Sequence, residues 1–207
     1  MTNSNAQANN AAKAVAPKLA EKVESFKALF SDAARNQEAI KNEAAQKIEV
    51  AENDEAKAAH KKAMQRAATH EKYNDALSGM SEKALSILAK YKVDPAKLAE
   101  QSRELKKRSI KILEALASNS KVDDRALDAV LQFIESKKSD VLTLEVIRRQ
   151  MDHETTTQAQ YFKTCAIFFG FATYSKSEKE LTLKKDNKVL ADLLKIYDTT
   201  PKQVAAE

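Results

Sequence analysis

A basic run near the middle of the chain holds the densest set of side chains that could bind phosphate. The run is the segment RELKKRSIK, and its candidate ligands are Arg103, Lys106, Lys107 and Lys111. Arg103, Lys107 and Lys111 are spaced four residues apart, so on a helix they share one face. Cations on one face are typical of contacts to nucleic-acid phosphates. Three glutamates interleave with them, so the alternative interpretation is an ordinary solvated helix face.

The distribution of charge along the chain favours the same region. The formal net charge is +5, and residues 81 to 121 hold ten Lys and Arg against five Asp and Glu. Residues 1 to 80 and 122 to 207 are each close to neutral. An excess of this kind favours a polyanion partner, such as DNA or another nucleic acid.

The other reactive residue types do not form a recognised catalytic or metal-binding pattern. His60 and His70 are ten residues apart, which on one helix separates them by about 15 Å, and His153 has no Cys or His at ligand spacing. The chain has no glycine-rich phosphate loop, no nucleophile elbow and no HExxH segment. We therefore expect no enzyme activity, no metal site and no cofactor.

Composition predicts a mainly helical protein that lies outside the membrane. Only two glycines and three prolines occur, while residues that favour helix dominate. No run of apolar residues is long enough to cross a bilayer, and the first residues lack the apolar stretch of a secretory signal. The single cysteine, Cys165, lies in an apolar run. We expect a reducing compartment, either the cytoplasm or the interior of a virus-like particle.

The first part of the chain predicts a polar tail followed by a long helix. Residues 1 to 16 lack large apolar groups and are expected to form a flexible tail. From residue 17 to 77 the sequence contains no helix stop. A heptad seam runs through Leu19, Val23, Phe26, Phe30, Ala33, Gln37, Ile40 and Ala44 and continues more weakly beyond them. Residues 52 to 55 could break this helix into two. The seam must pack on the rest of the chain or on another copy, and we predict self-association through residues 17 to 77.

Capping signals divide the middle of the chain into further helices. Ser78 and Gly79 predict a helix end, and Ser81 predicts the start of the next helix. Asp94 followed by Pro95 predicts a helix start, and that helix is expected to run to about Ala117. The helical or coiled-coil region therefore spans residues 17 to 120.

The last part of the chain switches from helical to strand periodicity. Asp123 predicts the start of a helix, and a short extended piece follows at 141 to 143. Two helical segments then cover residues 144 to 151 and about 155 to 169. Alternation at 171 to 175 and 181 to 183, around a polar turn, predicts a hairpin. A final helix is expected over 187 to 197.

This order of elements resembles the winged helix-turn-helix superfamily over residues 122 to 188. The resemblance implies a small α+β module in which the helix of residues 155 to 169 is the recognition helix. Its outward residues would then be Thr156, Gln158, Gln160 and Lys163. Further phosphate contacts would come from Arg148 and Arg149 on the preceding helix and from Lys176 and Lys179 on the wing. The alternative is a winged helix that docks a protein.

Together these patterns predict a non-enzymatic nucleic-acid-binding protein with a regulatory, replication or packaging role. Its helical region, 17 to 120, would oligomerise, and its domain of residues 121 to 207 would be winged-helix-like. A structural or assembly protein, such as a virion or scaffold component, and a protein-docking adaptor are the alternatives. We expect partners among nucleic acids, other proteins or further copies of the chain, and no membrane.

Overall fold

A computed structural model describes the backbone of residues 4–151 and 156–198, and the side chains of 18–151 and 157–198. Its helices and strands are α1 (Ser4–Val50), α2 (Asp54–Ser78), α3 (Glu82–Tyr91), α4 (Pro95–Glu100), α5 (Arg103–Ser118), α6 (Arg125–Lys137), β1 (Val141–Thr143), α7 (Leu144–Gln150), α8 (Thr156–Phe168), β2 (Ala172–Ser175), β3 (Glu180–Leu183) and α9 (Lys188–Asp198). The predicted fold class, mainly α with a small α+β module near the C-terminus, is confirmed. The backbone from Ser4 onward belongs to α1, whereas no side chain of residues 1 to 16 is described, so the flexible tail predicted there stays a prediction.

The chain divides into two compact units, residues 1–106 and 107–207. In the first unit, α1 and α2 are separated only by residues 51 to 53, and Asn53 caps α2 by accepting a hydrogen bond from the Ala56 amide at 2.8 Å. The break predicted within residues 52 to 55 is therefore present. Lys41 of α1 pairs with Glu71 of α2 at 2.6 Å, which fits two helices that double back on each other.

The heptad seam of α1 is filled within the first unit, but its phase differs from the prediction. Val23, Phe30 and Ala44 are buried as expected, at seven-residue multiples. The other predicted seam residues, between these positions, are not buried in the same way. Ala34 is buried in place of Ala33, and Ile40 is 46% exposed. The packing of α1 against α2, α3 and α4 decides this phase. Self-association through residues 17 to 77 stays a prediction, and the seam no longer requires it.

Caps set the ends of the next helices. Ser81 accepts a hydrogen bond from the Ala84 amide, and Asp94 accepts from the amides of Ala96 and Lys97, so both predicted helix starts are confirmed. The helix that begins at Pro95 ends at Glu100, however, and does not run to Ala117. It restarts as α5 because the Ser102 hydroxyl accepts a hydrogen bond from the Leu105 amide at 3.4 Å.

The second unit packs its helices against a three-stranded antiparallel sheet with strand order β1-β3-β2. Leu142 pairs with Leu181, and Tyr174 also pairs with Leu181, so β3 is the central strand. Asp124, not Asp123, caps α6, because its carboxylate accepts a hydrogen bond from the Leu127 amide at 3.0 Å. The core of this unit consists of large side chains from its helices and its sheet region, among them Leu127, Leu131, Ile147, Phe162, Phe171, Leu181 and Leu190.

Several turns place residues other than glycine in the left-handed region of φ. Lys92 and Lys138 end α3 and α6 at φ 57° and 50°, Asn119 follows α5 at 53°, and Lys179 lies in the β2–β3 turn at 58°. Gly170, which follows α8, has φ 71°. An L-amino acid in this region is strained by the contact between its Cβ and the backbone. Among the described residues, no helix combines the length and apolar character needed to cross a membrane.

Candidate nucleic-acid interface

The basic run lies on α5, and its predicted ligands differ in how available they are. Arg103 and Lys107 are exposed. Arg103 pairs with its neighbour Glu104 at 2.7 Å. Lys111 donates to Asp123 at 2.8 Å and lies 3.5 Å from Glu114. The hydrogen bond to Asp123 is the main reason that the pKa of Lys111 is raised. Lys107 is therefore the cation of this run that keeps a solvated, unpaired charge among the described residues.

Lys106 is not a surface ligand, and the structure corrects this prediction. Its side chain is fully buried, and Nζ donates to Asn74 Oδ1 at 2.8 Å and lies 3.2 Å from His70 Nδ1. Burial lowers the pKa of Lys106 to about 8. The residue lies beside Leu105, which is also buried, at the end of the first unit. It therefore cannot contact a phosphate on the surface as the sequence pattern suggested.

Arg108 is a buried cation that was not among the predicted ligands. It is 3% exposed and donates from Nη2 to Gln158 Oε1, while its guanidinium carbon lies 5.4 Å from the centre of the Tyr161 ring. Its Nε and Nη1 atoms are buried without a hydrogen-bond partner. Gln158 is thus held by α5, and its amide oxygen is not free to read a base. No charge pattern in the sequence distinguishes Arg108 from its exposed neighbours.

The two arginines of α7 share one carboxylate. Arg148 and Arg149 lie 3.1 Å and 3.2 Å from the same oxygen of Glu145. The hydrogen bond from Arg148 is the largest cause of the lowered pKa of Glu145. Because one acid partly neutralises both cations, α7 offers less positive charge to a phosphate than its sequence implies.

Helix α8 presents a neutral, polar face over its first nine residues. Ala159, Phe162 and Cys165 are buried, which leaves Thr157 and Thr164 exposed and Gln160 half-exposed. We call Thr157, Gln160 and Thr164 the α8 face. Gln160 was predicted from the sequence as an outward residue of this helix, whereas the two threonines were not. Their spacing of three and four residues would have identified them once Phe162, rather than Tyr161, was placed inward.

Other predicted residues of this region lie at the edges of the α8 face. Lys163 stands over the Tyr174 ring of β2, with Nζ 4.3 Å from the ring centre, so it joins α8 to the hairpin. Lys176 and Lys179 are exposed on the β2–β3 turn, and neither forms an ion pair with a described residue. The side chain of Thr156 lies outside the described residues.

Cys165 and the acidic residues of the described chain add no further chemistry here. Burial raises the pKa of the Cys165 thiol to about 12, so it stays protonated and unreactive near neutral pH. Within residues 18–151 and 157–198, no group of His, Cys, Asp and Glu is placed to hold a metal ion.

Comparisons with protein-family models, with curated proteins and with solved structures give no match to this chain. What the chain binds must therefore be inferred from its own residues. In the second unit these are the α8 face, Lys163, and the two lysines of the β2–β3 turn.

Proposed function

We propose that the second unit binds duplex DNA in the manner of a winged helix, with α8 in the major groove and the β2–β3 turn against the adjacent backbone. The order α6-β1-α7-α8-β2-β3 and the strand order β1-β3-β2 support this proposal. In a helix-turn-helix, the second helix of the pair enters the major groove, and α8 follows α7 after a short connection.

One observation carries the proposal: the helix that bears the α8 face contacts the strand that leads into a turn with two exposed lysines. The Lys163–Tyr174 contact fixes α8 against β2, the strand that leads directly into the turn. The α8 face contains hydroxyl and amide groups but no carboxylate, so it does not repel a polyanion. Glutamine can form two hydrogen bonds with an adenine edge, and threonine can contact either phosphate or the methyl group of thymine.

The same geometry predicts binding with a weak dependence on salt. Many cations of the second unit already pair with carboxylates, as Lys111, Arg148, Arg149 and Lys185 do. Lys163, Lys176 and Lys179, on α8 and the β2–β3 turn, form no ion pair with a described residue. With about three phosphate contacts, the log–log salt slope on duplex DNA would be roughly −3, well below that of strongly basic DNA-binding proteins.

The test begins with selection of preferred sites from a random duplex pool by the full-length protein at low salt. Fluorescence anisotropy then compares the selected duplex with a scrambled one for the wild type and for Gln160→Ala. We expect the substitution to reduce the preference by about 1 to 3 kcal/mol if Gln160 makes a bidentate base contact, with the salt slope unchanged.

The matched control is Gln132→Ala, because Gln132 is an exposed glutamine on α6, away from the α8 face. The control should retain the full sequence preference. The proposal is wrong if the wild type binds no duplex at about 50 mM salt, a concentration at which phosphate contacts are still strong. It is also wrong if Gln160→Ala and Gln132→Ala behave alike.

A second candidate function, docking of a protein, is favoured by apolar exposure on the same unit. Ile167 is 44% exposed and lies one turn beyond Thr164 on α8, and Val141 of β1 is also 44% exposed. If the second unit joins copies of this chain, light scattering should show an association that rises with concentration. Ile167→Ser should then weaken this association while leaving the circular dichroism spectrum unchanged.

A further inference from the structure

A basic groove lies on the first unit, on the surface of α2 and the start of α5. Its volume is about 410 Å3, and it is lined by Lys62, Gln65, Arg66, Thr69, His70 and Arg103. We call it the α2 groove. Three of the six lining residues are cations, two are neutral hydrogen-bonding residues, one is histidine, and none is a carboxylate. This composition favours an anionic ligand with several acceptor oxygens.

Two of the cations are not engaged elsewhere in the described part of the chain. Lys62 and Arg66 are exposed and lie one helical turn apart, and neither forms an ion pair or side-chain hydrogen bond with a described residue. Arg103 uses Nε and Nη2 for Glu104, at 2.8 Å and 2.7 Å. The α2 groove thus keeps two positive charges that no described carboxylate balances.

A buried lysine sets the hydrogen-bonding role of the histidine in the groove. The Lys106 ammonium can only donate, so the 3.2 Å contact makes His70 Nδ1 the acceptor and places the imidazole proton on Nε2. Burial, followed by the charge of Lys106, lowers the pKa of His70 and keeps the ring neutral near pH 7. His70 therefore offers one N–H donor from Nε2. The uncompensated charge of Lys106, which has no carboxylate partner among the described residues, lies directly behind it.

We propose that the α2 groove is a binding site for a phosphate group. Lys62 and Arg66 would neutralise its charge, the guanidinium of Arg66 could bind two oxygens at once, and His70 Nε2 would donate to a remaining oxygen. The Thr69 hydroxyl already donates to the Gln65 carbonyl at 2.8 Å, so it supplies no further donor. The source of the phosphate is either a small phosphorylated molecule or the backbone of a nucleic acid. The site belongs to the first unit and does not depend on whether the second unit binds DNA.

The test is a titration of the full-length protein with sodium phosphate at pH 7, at constant ionic strength set by sodium chloride. The chain contains three histidines, so the imidazole NMR signals can be assigned by substitution. We expect a saturable shift of the His70 signal and none of the His60 signal, since His60 does not line the groove. Lys62→Gln and Arg66→Gln should each weaken phosphate binding about tenfold, as expected for loss of a charged hydrogen bond.

Lys61→Gln is the matched control, because Lys61 is an exposed lysine next to Lys62 that does not line the groove. The proposal is overturned if phosphate produces no saturable shift, or if Lys61→Gln weakens binding as much as Lys62→Gln does. Either result would leave the duplex experiment on Gln160 unaffected, so failure of this site and failure of the proposed function can be told apart.

Two competitors then distinguish the sources of the phosphate. Ribose 5-phosphate supplies a phosphate monoester, and a single-stranded oligonucleotide without terminal phosphates supplies only the backbone. Displacement of phosphate by the first alone supports a small phosphorylated ligand. Displacement by the oligonucleotide, with the same sensitivity to Arg66→Gln, supports a nucleic-acid backbone. If neither competitor displaces phosphate, the site does not accept a phosphate that is part of a larger molecule, and the proposal fails.

Discussion

At the scale of single residues, the buried charge of Lys106 should destabilise the folded chain at neutral pH. Burial lowers the pKa of Lys106 from 10.5 to about 8. The unfolded state therefore binds more protons than the folded state between pH 8 and 10.5, and stability should rise with pH across this window. Below pH 8 the burial of the charged Lys106 lowers the free energy of unfolding by its full amount. From the shift in pKa, this amount is about 3 kcal/mol.

We predict that Lys106→Met raises the free energy of unfolding at pH 7, by less than this cost. The gain is reduced because His70 and Asn74 lose a hydrogen-bond partner. The difference in stability between variant and wild type should shrink as the pH rises from 8 to 10.5. Urea unfolding at several pH values, followed by circular dichroism, measures both effects.

Lys107→Met serves as the control, since Lys107 is the exposed neighbour of Lys106 on the same helix. It should leave the pH dependence between 8 and 10.5 as in the wild type. If Lys106→Met lowers stability at pH 7 and keeps the wild-type pH dependence, the hydrogen bonds of Lys106 outweigh its burial cost and the prediction is wrong.

The burial of Lys106 and Arg108 could not be predicted from the sequence. Both lie in a segment whose charges are typical of a solvated helix face, and the pattern assigned Lys106 to the surface. Lys106 is buried against Asn74, 32 residues away in the chain, and Arg108 against Gln158, 50 residues away. Local periodicity holds no information on contacts at that separation.

At the scale of elements, starts and ends of helices were predictable where a side chain caps the backbone. Ser81, Asp94 and Gly79 mark boundaries because their chemistry acts within three or four residues. The break between α4 and α5 was missed, since Ser102 is a weaker signal inside a continuous helical pattern. The heptad seam of α1 was predicted, but with the wrong residue at one position. Positions 33 and 34 are both alanine, and only the packing of the partner helix decides which of them is buried.

The β2–β3 turn supports a prediction at this scale. If the turn contacts DNA backbone, Lys176→Gln together with Lys179→Gln should reduce the magnitude of the log–log salt slope by about 2, at roughly 0.9 per phosphate contact. Sequence preference should change little, because these lysines lie outside the α8 face. Anisotropy titrations from low to moderate salt give the slope.

A paired control comes from Lys57→Gln together with Lys61→Gln, two exposed lysines on α2 in the other unit. This variant has the same net charge as the turn variant but leaves the second unit intact. Equal slopes for the two variants would mean that the turn does not contact phosphate and that only net charge matters.

At the scale of the whole molecule, the boundary between the units predicts which fragment folds. The sequence placed the start of the last domain at residue 121, whereas the second compact unit begins at Lys107. Ile112 and Leu113, which precede residue 121, are fully buried, and Arg108 holds Gln158 of α8. We predict that a fragment of residues 107–207 unfolds cooperatively and melts at a higher temperature than one of residues 122–207.

Thermal unfolding of both fragments, with the full-length protein measured beside them, tests this boundary. Loss of Ile112 and Leu113 removes two core side chains, each of which contributes about 1.5 to 3 kcal/mol when fully buried. The shorter fragment should therefore lose several degrees in Tm or the cooperative transition altogether. Identical melting of the two fragments would place the boundary at residue 121 instead.

The residues at positive φ have a consequence for how this chain could change over generations. Three lysines and one asparagine occupy conformations that glycine adopts without strain, and relief of a left-handed lysine is worth roughly 1 kcal/mol. Single substitutions to glycine at Lys92 or Lys138 would add stability without touching the α8 face or the α2 groove. The sequence therefore lies below its own stability optimum. A lineage that acquired such a glycine could tolerate destabilising changes at its binding surfaces, which gives those surfaces room to acquire new specificities.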